Sequence, residues 1–135
     1  MKNIILFLWQ LPQAVAGLVT IVVTGAHKIE NGGYWFTDKG DFGVSLGPFV
    51  VFADKSGTAT IPMCDIRHER GHQKQSLYLG PLYLLLIGLP SAAGNIIDRV
   101  YHKHWKSTAR YIWYYRLPWE AWADKLGDVK RFKEE

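Results

Sequence analysis

The residues best suited to chemistry lie together in Arg67-His68-Glu69-Arg70-Gly71-His72-Gln73-Lys74-Gln75-Ser76. Positions four apart fall on one face of a helix, so His68 and His72 can direct two imidazole nitrogens at a single point. That geometry suits a zinc ion. Glu69, about 100° further round a helix of 3.6 residues per turn, reaches the coordination position that catalytic zinc leaves open to water. A carboxylate there can take the water's proton as a general base, which is the chemistry of hydrolysis.

Such an ion needs three protein ligands. The stretch that offers the third is Pro118-Trp119-Glu120-Ala121-Trp122-Ala123-Asp124-Lys125-Leu126-Gly127. Pro118 suits a first helical turn and Gly127 a C-terminal cap, which places Glu120 and Asp124 on one face of a short helix. Glu120 is the expected third ligand. Asp124, one turn on, is the expected acceptor for the outward ring N–H of His68 or His72, a bond that fixes the tautomer and raises ligand basicity.

The pairing of His68-Glu69-x-x-His72 with Glu120-x-x-Ala123-Asp124 resembles the gluzincin metallopeptidases, most closely the membrane-embedded prenyl-protein (CAAX) protease and its bacterial heat-shock relatives. The resemblance covers two short stretches. It implies zinc held by His68, His72 and Glu120, catalysis by the Glu69 carboxylate, support from Asp124 and a peptide or protein substrate. The chain is also similar to small bacterial proteins in which Gly-His-x-x-Gln-Ser precedes Leu-Gly-Pro-Leu-Tyr-Leu-Leu, a likeness that carries no substrate. One difference stands out: the proteases surround their site with several membrane spans, and this chain has room for few.

The elements that must position these residues are short. At 135 residues the chain makes one domain with one modest core. Its apolar residues, 48% of the total, gather in two blocks. That pattern points to a membrane. The net charge of +4 comes from basic residues scattered along the chain with no basic stripe or nucleic-acid motif. Anionic lipid headgroups are therefore the expected partner, and nucleic acid is not. A single cysteine, Cys64, excludes an intrachain disulfide. Four residues before His68, it is expected as a small buried thiol.

Residues 4–24 are uncharged and long enough for a tilted helix to cross a hydrocarbon core of about 30 Å, with a kink at Pro12. They predict an N-terminal transmembrane anchor within 1–26, followed by a small zinc-metallopeptidase-like domain over 27–135. In the polar linker, Asn31-Gly32-Gly33 signals a turn, and Tyr34, Trp35 and Phe36 suit the headgroup level. Residues 43–53 read as one or two strands bent at Gly47-Pro48, with a hairpin if 58–61 pairs back; 50–53 is the candidate edge for an extended peptide. The motif helix is expected from about Thr60 to Pro62, capped by Thr60, to about Leu77, with Arg67, Arg70 and Lys74 on a solvated side.

Residues 77–97 form a second uncharged stretch. A full crossing there would separate His72 from Glu120 by about 30 Å of hydrocarbon, so Gly80-Pro81 and Gly88-Leu89-Pro90 predict a re-entrant, interfacial or buried hairpin. His102 and His104 are expected in solvent. Tyr114 or Tyr115 is a candidate donor to the oxyanion of a substrate carbonyl. The tail from residue 128 is expected to fray. The basic residues after the first apolar block place the catalytic side in the cytoplasm.

The fold expected is α+β and mainly helical: a membrane helix, a short β-hairpin, the motif helix, an apolar hairpin and a C-terminal helix bearing Glu120 and Asp124. A membrane-associated zinc peptidase is the leading function. The alternative is a non-catalytic small membrane protein with a structural or degenerate metal site, and a third reading is a membrane-surface binding module without a metal.

Overall fold

A computed structural model describes residues 2–30, 32–58 and 60–132. Among them the chain is mixed α/β, 61% helical, with six α-helices and a four-stranded sheet. The strands are β1 (His27–Ile29), β2 (Tyr34–Thr37), β3 (Phe42–Leu46) and β4 (Phe49–Ala53), in the order β1-β2-β4-β3. β4 runs antiparallel to β3 and parallel to β2. Helices cover both faces of the sheet, and this explains the unbroken apolar run of β4. Val51 packs with Ile21 and Ala26 on one side, whereas Val50 and Phe52 pack with Tyr34, Phe36 and the partly buried Ile66 on the other.

Several expectations change here. The expected edge, residues 50–53, lies inside the sheet, and the edge strand on that side is β3. β3 and β4 pair as a hairpin around Gly47-Pro48, with Gly47 at φ +63, so 58–61 is not needed to complete it and forms no strand among its described residues. Asn31 lies outside the described residues. Tyr34 and Phe36 are core residues of β2 and not headgroup anchors, because β2 is covered on the face they occupy.

The first apolar block is not one helix. It forms α1 (Lys2–Trp9) and α2 (Leu11–Thr24), bent by 88° at Gln10. α2 starts with a proline in its first turn and stops at Gly25, which takes the left-handed conformation and donates to the Ile21 carbonyl. The motif helix, α3 (Met63–Leu79), begins later than Thr60: Pro62 stands at the N-cap in an extended conformation and no side chain caps the helix. The second apolar block continues α3 to a break, a 3₁₀ turn over Gly80–Leu82, a π-helical turn over Leu84–Gly88, and then α4 (Leu89–Tyr101). Across this break the chain bends by 120°. Among the described residues no single helix is long and apolar enough to cross a membrane. The chain ends with α5 (Ser107–Tyr115) and α6 (Pro118–Leu126).

α3 and α6 approach until their backbones touch. A Cβ added at Gly71 of α3 would lie 1.8 Å from the Ala123 carbonyl oxygen of α6, and one at Gly127 would lie 2.0 Å from the Arg67 carbonyl oxygen. Gly127 does stand at the C-cap, but at φ −86 any residue could adopt its backbone; lack of space is what demands glycine.

Replacing Gly71 by Ala separates helix propensity from packing. Alanine favours a helix by about 1 kcal/mol over glycine. The clash is with backbone, which cannot swing aside, so the expected result is a net loss of about 1–3 kcal/mol, read as a lower Tm in thermal unfolding. Stability equal to the parent would show that the two helices are not in this contact.

Candidate metal centre

The buried face of α3 is polar throughout: His68, Glu69, Gly71, His72, Gln75 and Ser76. Buried polar groups require partners, and α6 supplies the main ones. Glu120, completely buried, directs its Oε2 to within 3.0 Å of His68 Nε2 and 3.1 Å of His72 Nε2. These three atoms lie within 4.8 Å of one another, so the two motifs meet in space.

The outer nitrogens of both rings are engaged. His68 Nδ1 lies 2.7 Å from Asp124 Oδ1, and His72 Nδ1 lies 2.6 Å from Gln75 Oε1. Because those acceptors take the N–H of Nδ1, each ring, once it gives up its other proton, has its Nε2 lone pair directed toward Glu120. This is the tautomer that metal ligation uses. The orienting groups are themselves held. Gln75 donates its Nε2–H to the Trp119 carbonyl at 2.9 Å, and Arg131 donates Nε–H to both Asp124 oxygens at 3.0 and 2.8 Å. The Arg131 guanidinium also stacks 3.7 Å above the Tyr115 ring, whose edge-on contact with His68 steadies that imidazole. Ser91 donates its hydroxyl to Glu120 Oε1 and so leaves Oε2 for the histidine side.

The donor set could hold a metal ion. Ligand atoms at about 2.0–2.1 Å from a tetrahedral zinc stand about 3.3 Å apart, near the two separations at Glu120 Oε2. Charge leads to the same conclusion: three buried carboxylates, Glu69, Glu120 and Asp124, face one buried guanidinium, Arg131. Two negative charges remain, the amount a divalent cation supplies. The Oε2 of Glu69 is buried without a hydrogen-bond partner, as expected of a carboxylate set to receive a molecule from outside.

In the absence of a cation, protons compensate. Burial would lower the His68 pKa, but hydrogen bonds to Asp124 and Glu120 outweigh it and hold the ring up at about 9. Burial opposes a charged His72 too, and Glu120 raises its pKa by the same means. Burial would push Glu120 up, yet its bonds to the two imidazoles hold it well below the usual carboxylate range. For Glu69, burial prevails and raises the carboxyl pKa.

A cavity of about 1110 Å³ opens beside these groups. His68, Glu69 and His72 form part of its wall, with β3 on one side and Leu84, Leu89, Ser91 and Tyr114 on the other. Glu69 stands against β3: a Cβ at Gly43 would lie 3.4 Å from Glu69 Oε1. Tyr114 and Tyr115 both line the cavity, and the Tyr114 hydroxyl lies 3.4 Å from Ser91 Oγ.

The structure therefore brings His68, Glu69, His72, Glu120 and Asp124 together. Cys64, expected buried, is exposed because it lies on the outer side of the first turn of α3. His102, expected in solvent, is buried between Trp105 and Trp113, with ring centroids 3.7 and 4.4 Å away, and takes no part in the centre. The tail does not fray at residue 131, where the Arg131 side chain is 3% exposed on Asp124. Sequence reasoning missed Gln75, Ser91 and Arg131. Gln75 had a signal, one turn beyond His72; Ser91 and Arg131 had none, being tied to the centre only by folding.

Compared with known protein families, curated proteins and solved structures, the chain matches none.

Two outcomes are expected when binding of a divalent metal ion is followed by calorimetry. Asp124→Asn, which keeps the volume but weakens the hold on His68, lowers metal affinity about 10–100-fold. The sign of the pH effect follows from the raised His68 pKa: below about 9 the ring carries a proton that the metal must displace. Affinity therefore rises with pH, by about tenfold per pH unit for each proton released, and levels off above that range. Titrations at pH 7 in buffers of different ionisation enthalpy would register the released protons as a buffer-dependent heat.

Proposed function

We propose that this chain is a membrane-associated zinc-dependent peptidase. The observation that carries the reading is the buried meeting of His68 Nε2, His72 Nε2 and Glu120 Oε2 beside the unpartnered carboxylate of Glu69, at the wall of a large cavity. His68, His72 and Glu120 would hold the ion. Zinc, when bound, supplies Lewis acidity toward a substrate carbonyl and the attacking water.

The remaining steps belong to the chain's own residues. Glu69, made more basic by burial, accepts a proton from water as the water oxygen bonds to the carbonyl carbon. As the carbon–nitrogen bond breaks, Glu69 passes that proton to the leaving amine. Of the two tyrosines, Tyr114 is the better donor to the developing oxyanion, since Tyr115 has its ring between His68 and Arg131. Burial raises the Tyr114 pKa, so the hydroxyl keeps the proton it donates. An extended peptide would lie along β3, the sheet edge that lines the cavity, up to Ser45, whose carbonyl already accepts from the Tyr83 hydroxyl at 3.0 Å. The exposed apolar side chains of both uncharged blocks support association with lipid.

Glu69→Gln keeps the shape of the side chain and removes the base. Turnover of a peptide library by the zinc-loaded protein should fall about 10²–10⁴-fold while bound zinc, measured by metal analysis, is unchanged. Unaltered turnover would end the peptidase reading.

A further inference from the structure

We infer that both apolar blocks dip into a single leaflet and return, so that the N-terminus lies on the same side of the bilayer as the metal centre. The inference rests on the membrane association proposed above and not on the hydrolytic chemistry.

The first observation is reach. α1 has 8 residues and α2 has 14, about 12 and 21 Å at 1.5 Å per residue. Bent by 88°, the pair spans about 24 Å from end to end in its longest direction, short of the roughly 30 Å hydrocarbon core. The second pair bends by 120°, and His72, in its first helix before the bend, meets Glu120, which follows the pair, at 3.1 Å. Its chain therefore returns to the side it left.

The second observation is the junction of the two bends. Pro81 has no N–H to offer the Leu77 carbonyl one turn back, and the Trp9 indole N–H donates to it at 2.9 Å instead. Gln13 donates to the Gly80 carbonyl and to Ser76 Oγ, both at 2.8 Å, and Ser76 donates to Gln10 Oε1 at 2.7 Å. Gln13 and Ser76 are fully buried. Within lipid, a broken helix survives only where its freed backbone groups find partners in the protein. Here the first bend supplies those partners to the second, so the two breaks share one depth.

The third observation is where charge stops. Residues 3–26 and 75–97 contain no charged side chain. Lysines flank both uncharged stretches in the sequence: Lys2 on α1, Lys28 just after α2, Lys74 on α3, where it donates to the Leu126 carbonyl at 2.8 Å, and Lys103 and Lys106 after α4. Tyr101 and Trp105 are exposed at the end of α4, where aromatic and basic residues suit a headgroup layer. The arms between these flanks and the bends turn Ile5, Leu8, Val19, Val22, Leu85 and Leu89 outward. This charge pattern selects an anionic leaflet as the occupant. A chain that crossed would carry these lysines at two depths a membrane apart, whereas insertion into one leaflet keeps them on one side.

The test uses the full chain in sealed membrane vesicles of expressing cells, prepared in both orientations. Lys2→Cys and Lys55→Cys are made singly in a Cys64→Ser background and treated with a membrane-impermeant maleimide. The expected result is labelling of both from one and the same face. Labelling of residue 2 from the opposite face would overturn the single-leaflet insertion and leave the peptidase reading standing. Recovery of the chain in the soluble fraction, as a monomer or a dimer of itself, would overturn the lipid association too. Val22→Glu, at a side chain 78% exposed, should reduce the membrane-bound fraction about tenfold or more with an unchanged circular dichroism spectrum. Binding equal to the parent would count against the surface.

Discussion

The contact on which the structure depends is that of two helix backbones with nothing between them. At Gly71 and Gly127 the carbonyls of one helix occupy the space where side chains would stand. Only at that separation does a side chain as short as glutamate extend from α6 to both imidazoles of α3. The same approach brings Asp124 to the outer nitrogen of His68 and the Trp119 carbonyl to Gln75. A wider spacing of one side-chain layer, as in ordinary helix packing at 8–10 Å, would leave each of these groups buried and alone.

From that contact follows an unusual interior. A helix in a small domain normally buries an apolar stripe, whereas α3 buries histidine, glutamate, glutamine and serine. Such a face is tolerable only when almost every polar atom is matched, because an unmatched one costs about 1–3 kcal/mol. The matching is close to complete on α3, the exception being Glu69 Oε2. The apolar core that stabilises the domain lies elsewhere, between the sheet and the helices on its two faces. Structure and chemistry are thus divided: the sheet holds α3 in place through Ile66, and the polar stripe remains free to build a centre.

The bends serve the centre as much as the proposed leaflet does. A continuous helix through residues 77–97 would carry the chain away from His72 just before it had to deliver Glu120. Pro81 and the π-helical turn before Pro90 reverse the chain within a few residues. Ser91, placed by that reversal at the start of α4, then donates to the Glu120 oxygen that faces away from the histidines. The apolar hairpin therefore positions a polar group at the site, and the indole and glutamines of the first bend secure it.

Local spacing was legible in the sequence. The four-residue periods of His68 with His72 and of Glu120 with Asp124 follow from 3.6 residues per turn, and Gly80-Pro81 and Pro12 announced that the apolar blocks would break. What the blocks became after breaking was not legible, since a bend angle is set by what packs against it. Nor did composition distinguish the buried Tyr34, Phe36 and His102 from exposed aromatics, or show that β4 is interior, because burial belongs to neighbours supplied from elsewhere in the chain. Arg131 illustrates the limit: in a charged tail it has no pattern, and only the fold lays it across Asp124 and Tyr115. The sequence by itself determined which groups share a helical face, a matter of covalent geometry. Tertiary structure alone decided that the two faces meet, because that rests on backbone contact between residues more than fifty positions apart.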